Sequence, residues 1–252
     1  MTQGGATGNE RFDLELLRAA TRYQQWVLSA LQPHVTGTVL EVGAGIGNFT
    51  RWIARSASRL VALEPEADMA REIEGLGLRN VQALTTPLEE LADSEWRFDS
   101  VVLINVLEHM WDDQQALLIA HRLLRPGGCA GILVPAHPSL FGSLDGTYGH
   151  FRRYTRAGVE RDLRVAGFQI EFVRYFNPVG AIGWFFVGRV ARRTHLNRAA
   201  IELAERTAVP LGRAMERFGA PPFGQSVIAA AVKPDVSEPI ERQLSKETIQ
   251  TM

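Results

Sequence analysis

Residues 38–50, TVLEVGAGIGNFT, constrain the fold of this chain more than any other stretch. Thr38 to Val42 reads as a buried strand. Glycines follow at Gly43, Gly45 and Gly47, and the chain resumes as a helix expected over Asn48 to Ser56. A strand, a glycine turn and a helix start make a site for a nucleotide-bearing ligand, because glycine lets backbone approach where a Cβ would clash. Glu41 separates this copy from an ordinary dinucleotide loop. It lies two residues before the first glycine, where such loops carry an apolar residue, and a carboxylate there suits a ligand with a cationic group.

A second apolar run, Arg59 to Leu63, ends in Glu64-Pro65. In a right-handed β-α-β unit this places the Glu64 carboxylate at the tip of the neighbouring strand, over the same crevice. Two ribose hydroxyls can donate to one carboxylate, and the same charge repels a 2′-phosphate. The plainer alternative is a solvated glutamate before a helix, where acids are favoured by the helix dipole. Its position relative to the glycine loop favours the ligand.

VLEVGAGIGNFT, the ALEP turn (Ala62–Pro65) and FDSVVLINVLEH (Phe98–His109) resemble the successive motifs of the class I S-adenosylmethionine-dependent methyltransferases. Leu124-Arg125-Pro126-Gly127-Gly128 resembles the turn before that family's fifth strand. The resemblance runs from about Tyr23 to Pro135. GHFRRYT (Gly149–Thr155), Asn177-Pro178 and Pro222-Phe223-Gly224 are similar to a bacterial small-molecule, type 12-like subgroup associated with sugar, lipid-linked or secondary-metabolite pathways. It implies an α/β, Rossmann-like, seven-stranded, mostly parallel sheet of order 3-2-1-4-5-7-6 with helices on both faces. It further implies S-adenosylmethionine as cofactor and S-adenosylhomocysteine as product; the leading expectation is methyl transfer to an O or N atom of a small acceptor, acidic and so anionic, or a sugar or secondary metabolite. Cofactor contacts are expected at Tyr23, Glu41, Gly43, Ala44, Gly45, Gly47, Asn48, Glu64, Pro65, Asn105 and Val106. Many members carry an acid after the third strand for the adenine amino group. This sequence has none before Glu89, so Thr86 and the backbone around Leu88 take that role.

Alternating elements set one expected domain over residues 1–233. Residues 1–11 read as disordered, Asp13 to Leu31 has a helical apolar period, and residues 1–33 form a lid in which Tyr23 and Trp26 are cofactor-covering or simply core. Further strands are expected at Asn80–Leu84, Asp99–Ile104, Gly128–Val134, Phe168–Phe176 and Ser226–Val232, with helices at Glu66–Gly75, Asp113–Leu124 and Thr155–Ala166. Residues 177–225 read as a helical insertion between the last two strands. Its apolar run 179–188 is too short and glycine-broken to span a membrane. It reads as a pocket roof or homodimer contact in preference to a peripheral membrane contact. Residues 234–252 read as a disordered tail.

The formal net charge of −1 hides an uneven distribution. Residues 1–149 carry 11 Lys/Arg and 18 Asp/Glu, whereas residues 150–233 carry 14 and 6. The basic half suits an anionic acceptor or equally a solvated arginine face. One cysteine, Cys129, excludes an internal disulfide and a cysteine-based zinc cluster, and no metal is expected. The absence of a basic-then-apolar leader makes a cytoplasmic location the expectation.

Methyl transfer needs alignment and water exclusion more than machinery, with one base where the acceptor holds a proton. His109, after strand four, and His150 are the candidate catalytic residues. Against this, His109 fits the start of the next helix, and His150 could simply hold Asp145. Tyr148, Arg152, Arg153, Tyr154 and Trp184 are the candidate acceptor contacts, with the two arginines as a carboxylate clamp. An NAD-dependent oxidoreductase is disfavoured by Glu41 and by Asn48 and Thr50 where the longer fingerprint has small residues. A non-catalytic cofactor-binding scaffold is the other alternative. Nucleic-acid methylation is not expected, because Asn105-Val106-Leu107-Glu108 lacks an N-P-P-Y-type tetrad.

Overall fold

In the computed structural model, which describes residues 8–191 and 197–235, seven strands form one sheet. They are β1 (Gly37–Val42), β2 (Ala57–Leu63), β3 (Val81–Leu84), β4 (Phe98–Ile104), β5 (Leu124–Pro135), β6 (Gln169–Phe176) and β7 (Ser226–Val232). Their order is β3-β2-β1-β4-β5-β7-β6, as the motifs imply. β1 pairs in parallel with β2 and β4, β2 with β3 and β4 with β5, while β7 runs antiparallel between β5 and β6.

The helices are α1 (Gly8–Leu17), α2 (Thr21–Leu31), α3 (Thr50–Ile53), α4 (Ala67–Glu74), α5 (Asp113–Leu123), α6 (Ser143–Thr147), α7 (Arg156–Val165), α8 (Pro178–Trp184), α9 (Arg198–Arg206) and α10 (Ala208–Glu216). A π-helical turn, Phe185–Val190, continues α8. Side chains alternate between two cores, as the strand period requires. Leu40 and Val42 of β1 face the layer of α5 and α7, with Ile119, Leu123 and Leu163. Val39 faces the opposite layer, with Trp26, Val27 and Leu31 of α2 and Phe176. Burial on both faces explains why the parallel strands read as unbroken apolar runs.

Three expectations change. Residues 8–11, expected to be unstructured, open α1. The single helix over 13–31 is two helices, broken at Arg18–Ala20 without glycine or proline. Gln24 Nε2 donates to the Leu17 carbonyl at 2.8 Å and ends α1. The Glu205 carboxylate accepts from the Arg22 and Tyr23 backbone N–H groups at 2.8 and 2.9 Å and starts α2. An acceptor on α9 therefore satisfies the orphan donors of a helix 183 positions earlier. The helix expected over Asn48–Ser56 shrinks to α3, preceded by turns. The expected tail falls outside the described residues after Asp235, as do residues 1–7. Cys129 is a buried filler of β5, its thiol pushed up to about 12 by burial.

Between β6 and β7 the chain carries α8, α9 and α10, and this segment is clasped at its base. Asn177 adopts a left-handed conformation (φ 57), accepts from Gly180 N at 2.8 Å and donates through Nδ2 to Gln225 Oε1 at 2.8 Å. Gln225 N donates to the Asn177 carbonyl at 3.0 Å. Gly224 must be glycine, since a Cβ would run into the Phe176 carbonyl. Among the described residues, no helix is long and apolar enough to cross a membrane.

Candidate active site

The carboxyl ends of the parallel strands carry the polar residues the core excludes, as open α/β sheets arrange their ligand sites. Asn105, His137 and Asn177 follow β4, β5 and β6 there, and each is a non-glycine residue at positive φ. Strain at such positions persists where surrounding structure over-determines it.

The glycine loop leaves β1 with φ of 65, 56 and 80° at Gly43, Gly45 and Gly47. A Cβ on Gly43 would stand 2.7 Å from Val106 Cγ2, so the loops after β1 and β4 are in contact. Glu41 is buried, and its Oε2 has no hydrogen-bond partner. Burial pushes its carboxyl up to about 8, with the Thr50 side chain opposing and the Glu64 charge adding to the rise. An orphaned buried carboxylate oxygen costs about 1–3 kcal/mol unless a ligand satisfies it. Glu64, at the end of β2, accepts from Gly45 N at 2.8 Å and Glu66 N at 3.0 Å. Burial raises its pKa, and the two backbone bonds resist the rise. The two carboxylates thus flank the glycine loop from adjacent strands.

α1 lies over this loop. Asn48 Nδ2 donates to the Leu14 carbonyl at 2.9 Å, and the Leu14 side chain would meet a Cβ on Gly45 at 3.4 Å. Arg11 and Arg18 both reach Glu72 of α4 at 2.6 Å, strapping the helix down. Asn48 Oδ1 is buried without a partner. Thr86 is half-buried beyond β3, Pro65 follows Glu64, and the Leu88 side chain packs into the core with Val42 and Leu63. Tyr23 of α2 packs beside Trp26 and Phe176, and burial pushes its phenol up to about 12.

A second polar group follows β4. His109 and His150 meet edge to face, with ring centroids 4.7 Å apart. His150 Nδ1 is bonded to Asp145 Oδ1 at 2.9 Å, and Arg153 Nε donates to the same oxygen at 2.7 Å. Burial alone would raise the Asp145 carboxyl, but His150 and Arg153 outweigh it and hold it below the usual range. Arg153, itself buried, also donates to the Ala136 carbonyl at 3.0 Å and lies 4.8 Å from the Trp184 ring. Tyr148 approaches both His150 and Trp184. Burial, with the neighbouring His150, lowers His109 to about 4, so its ring is neutral near pH 7. Glu108 completes the wall, 1% exposed, and burial pushes its carboxyl up to about 8.

His109, His150, Arg153, Tyr148 and Trp184 are thus brought together. Arg152 and Tyr154 are not part of this wall. Arg152 Nη1 donates to Asp113 Oδ1 at 2.6 Å and Tyr154 Oη to Asp113 Oδ2 at 2.7 Å, and Arg152 also reaches the Trp111 carbonyl. Both side chains are engaged in tying α5 to the segment before α7, so the two arginines form no common clamp. Asp113 opens α5, where an acid is expected anyway, so its sequence position carries no signal of this role. Beside the wall, His137, Leu140, Ala181, Ile182, Phe185 and Phe223 line a shallow apolar groove of about 450 Å³, open to the surface. Arg153 connects the two, touching Trp184 of α8 and the carbonyl next to His137.

A nucleotide-type glycine loop and two flanking carboxylates thus stand at the ends of β1 and β2, in a mixed sheet whose last strand is reversed. Residues 40–130 match the family model described as a methyltransferase domain. A probable S-adenosylmethionine-dependent methyltransferase of Mycolicibacterium smegmatis is 30% identical over 135 residues, 53% of this chain and 52% of that protein. A ubiquinone biosynthesis O-methyltransferase of Alkalilimnicola ehrlichii is 33% identical over 94 residues, 36% of this chain and 38% of its own. The crystal structure of an S-adenosylmethionine-dependent methyltransferase from Mesorhizobium loti shares the fold, with a TM-score of 0.59 at 18% identity, covering 83% of this chain and 97% of that one. Residues 40–130 thus carry a methyltransferase domain, and these likenesses support the class I S-adenosylmethionine-dependent methyltransferases, with S-adenosylmethionine as cofactor. The chain spans about half the length of the first curated relative it matches.

Proposed function

We propose that this protein transfers a methyl group from S-adenosylmethionine to an O or N atom of a small, anionic acceptor. The orphaned, buried carboxylate of Glu41 beside the glycine loop carries this reading. A buried acid whose ionisation is suppressed fits a partner that restores its charge, and S-adenosylmethionine brings an ammonium and a sulfonium. Glu64 retains lone pairs for the ribose hydroxyls, and Asn48 Oδ1 offers a further acceptor. Tyr23, Ala44, Pro65, Asn105 and Val106 would border the same crevice, with Thr86 and the Leu88 backbone at the adenine end.

When bound, S-adenosylmethionine supplies a methyl carbon on a sulfonium that departs as a neutral thioether. The chain's own residues do the rest. The strapped α1 excludes water, which strengthens every electrostatic contact beneath it. The Glu108–His109–His150 wall stands beyond Val106, the residue that touches the glycine loop, so it borders the acceptor side of the crevice. His150, oriented by Asp145, takes the acceptor's proton as the new bond to carbon forms. His109 positions the attacking atom. The acceptor's apolar body rests along α8 in the open groove of about 450 Å³, and Arg153, against Trp184, supplies positive charge beside it.

The measurement that decides is calorimetric titration with S-adenosylhomocysteine. Wild-type protein is expected to bind it, and Glu64→Ala to bind at least tenfold more weakly. Equal affinity in that variant defeats the cofactor assignment.

A further inference from the structure

We infer that Glu108, His109 and His150 form a binding site for a divalent transition-metal cation at the acceptor side of the crevice. Among the described residues, these three offer one ligand atom each, all within 4.8 Å of one another. Glu108 is 1% exposed and neither carboxylate oxygen has a hydrogen-bond partner. A fully buried acid aimed at two imidazoles without a hydrogen bond lacks the partner that burial demands. A cation supplies it.

The surroundings match a ligand set in detail. Metal-binding histidines donate their second nitrogen to a carboxylate or carbonyl, which fixes the tautomer. His150 gives Nδ1 to Asp145 at 2.9 Å, leaving Nε2 as its free nitrogen. His109 bonds the Tyr148 backbone through one ring nitrogen and keeps the other. Asp145 is held in turn by Arg153 and by Gly142 N at 2.9 Å. Ligand atoms about 2.1 Å from a metal stand roughly 3–3.5 Å apart, so closure needs a shift of about 1 Å or less per side chain.

Two imidazoles and one carboxylate select Zn²⁺, Fe²⁺, Co²⁺ or Mn²⁺ over Mg²⁺ and Ca²⁺, which prefer oxygen. Three protein ligands leave open positions. The consequence for catalysis rests on the reading of this crevice as the acceptor side. A cation held there would lower the pKa of an acceptor hydroxyl that coordinates it and ease loss of the proton to solvent, while the hydroxyl oxygen bonds the methyl carbon and the S–CH3 bond breaks to leave the thioether. With a cation bound, His150 is a ligand and the handling of the proton passes to the metal. The expectation of a metal-free protein followed from its single cysteine. It did not weigh an acid and two histidines brought together from residues 108–109 and 150.

The test titrates the EDTA-stripped full chain with Co²⁺ and follows the visible absorption of the bound ion, with no methyl donor present. One equivalent should bind with micromolar affinity or better, and Zn²⁺ should displace it. Glu108→Gln, His109→Gln and His150→Gln should each weaken binding tenfold or more, and Asp145→Asn should weaken it less than they do. Far-UV circular dichroism identifies any variant that fails to fold, and the folded ones decide. No Co²⁺ spectrum with the wild type, or unchanged affinity in the folded ligand variants, overturns the site. S-adenosylhomocysteine titrated separately keeps the two readings apart, since Co²⁺ binding without nucleoside binding preserves the metal site and defeats only the methyl-donor assignment.

Discussion

Glu41, at the end of β1, shows how much a single side chain decides here. Glu41 is raised to about 8 against an ordinary value near 4.5, so the folded protein holds a proton there that the unfolded chain releases. The folded state binds more protons between those values, and stability therefore falls as pH rises through that window, by at most about 1.4 kcal/mol per unit. Glu41→Gln should flatten that part of the stability–pH curve, read by urea denaturation from about pH 5 to 9. A cationic ligand reverses the balance. Cofactor affinity should rise with pH up to about 8, with proton release on binding visible as a buffer-dependent heat. A pH-independent affinity would mean that Glu41 does not face the cationic part of the ligand.

The glycine loop and the helix over it set the next scale. Gly43→Ala meets both a positive φ and the Val106 methyl, and should cost about 1–2 kcal/mol of stability in urea denaturation along with most of the cofactor affinity. The two arginines on Glu72 predict that Glu72→Gln loosens α1. Amide exchange in residues 8–17 should quicken in that variant and slow again when S-adenosylhomocysteine is added. Exchange unchanged by the substitution would show that packing alone holds the helix. Elements whose signal is local were legible in advance. Ser226–Val232 falls on the expected residues, and β2, α4 and β3 lie within two residues of theirs. The break between α1 and α2 was not, because Glu205 supplies it from the far end of the chain. Glu41 and Glu64 could be read from their distance to the glycines. Glu108 could not be read as a wall residue, since Glu-His before a helix looks like an ordinary helix start, and its burial depends on residues 145–153 folding over it.

For the whole molecule, the proposed function would build the donor side from residues 8–106 and the acceptor side from residues 108–223, and the net charge changes sign between these two stretches. Ligand linkage joins the halves in one observable. At a concentration of S-adenosylhomocysteine near 100 times its Kd, the native state gains about 2.7 kcal/mol. A chain of this size should then melt roughly 5–10 °C higher. NAD at the same concentration should leave the melting temperature unchanged, and an equal shift would return the oxidoreductase alternative. A non-catalytic scaffold would show the shift with S-adenosylhomocysteine and no methyl transfer to any acceptor offered with radiolabelled donor.

The clasp between Asn177 and Gln225 makes residues 178–224 a closed loop whose two ends meet at one spot on the sheet. A loop with joined ends can be exchanged as a cassette. Replacing it with a segment of different length leaves the register of β6 and β7 intact, provided that Asn177, Gly224 and Gln225 are kept. The cost of lengthening it grows only as the logarithm of its length, about 0.6 kcal/mol per doubling. About one-fifth of the sequence could therefore be rewritten, provided that Glu205, which starts α2, and Val209, which packs with Trp26, are kept as well.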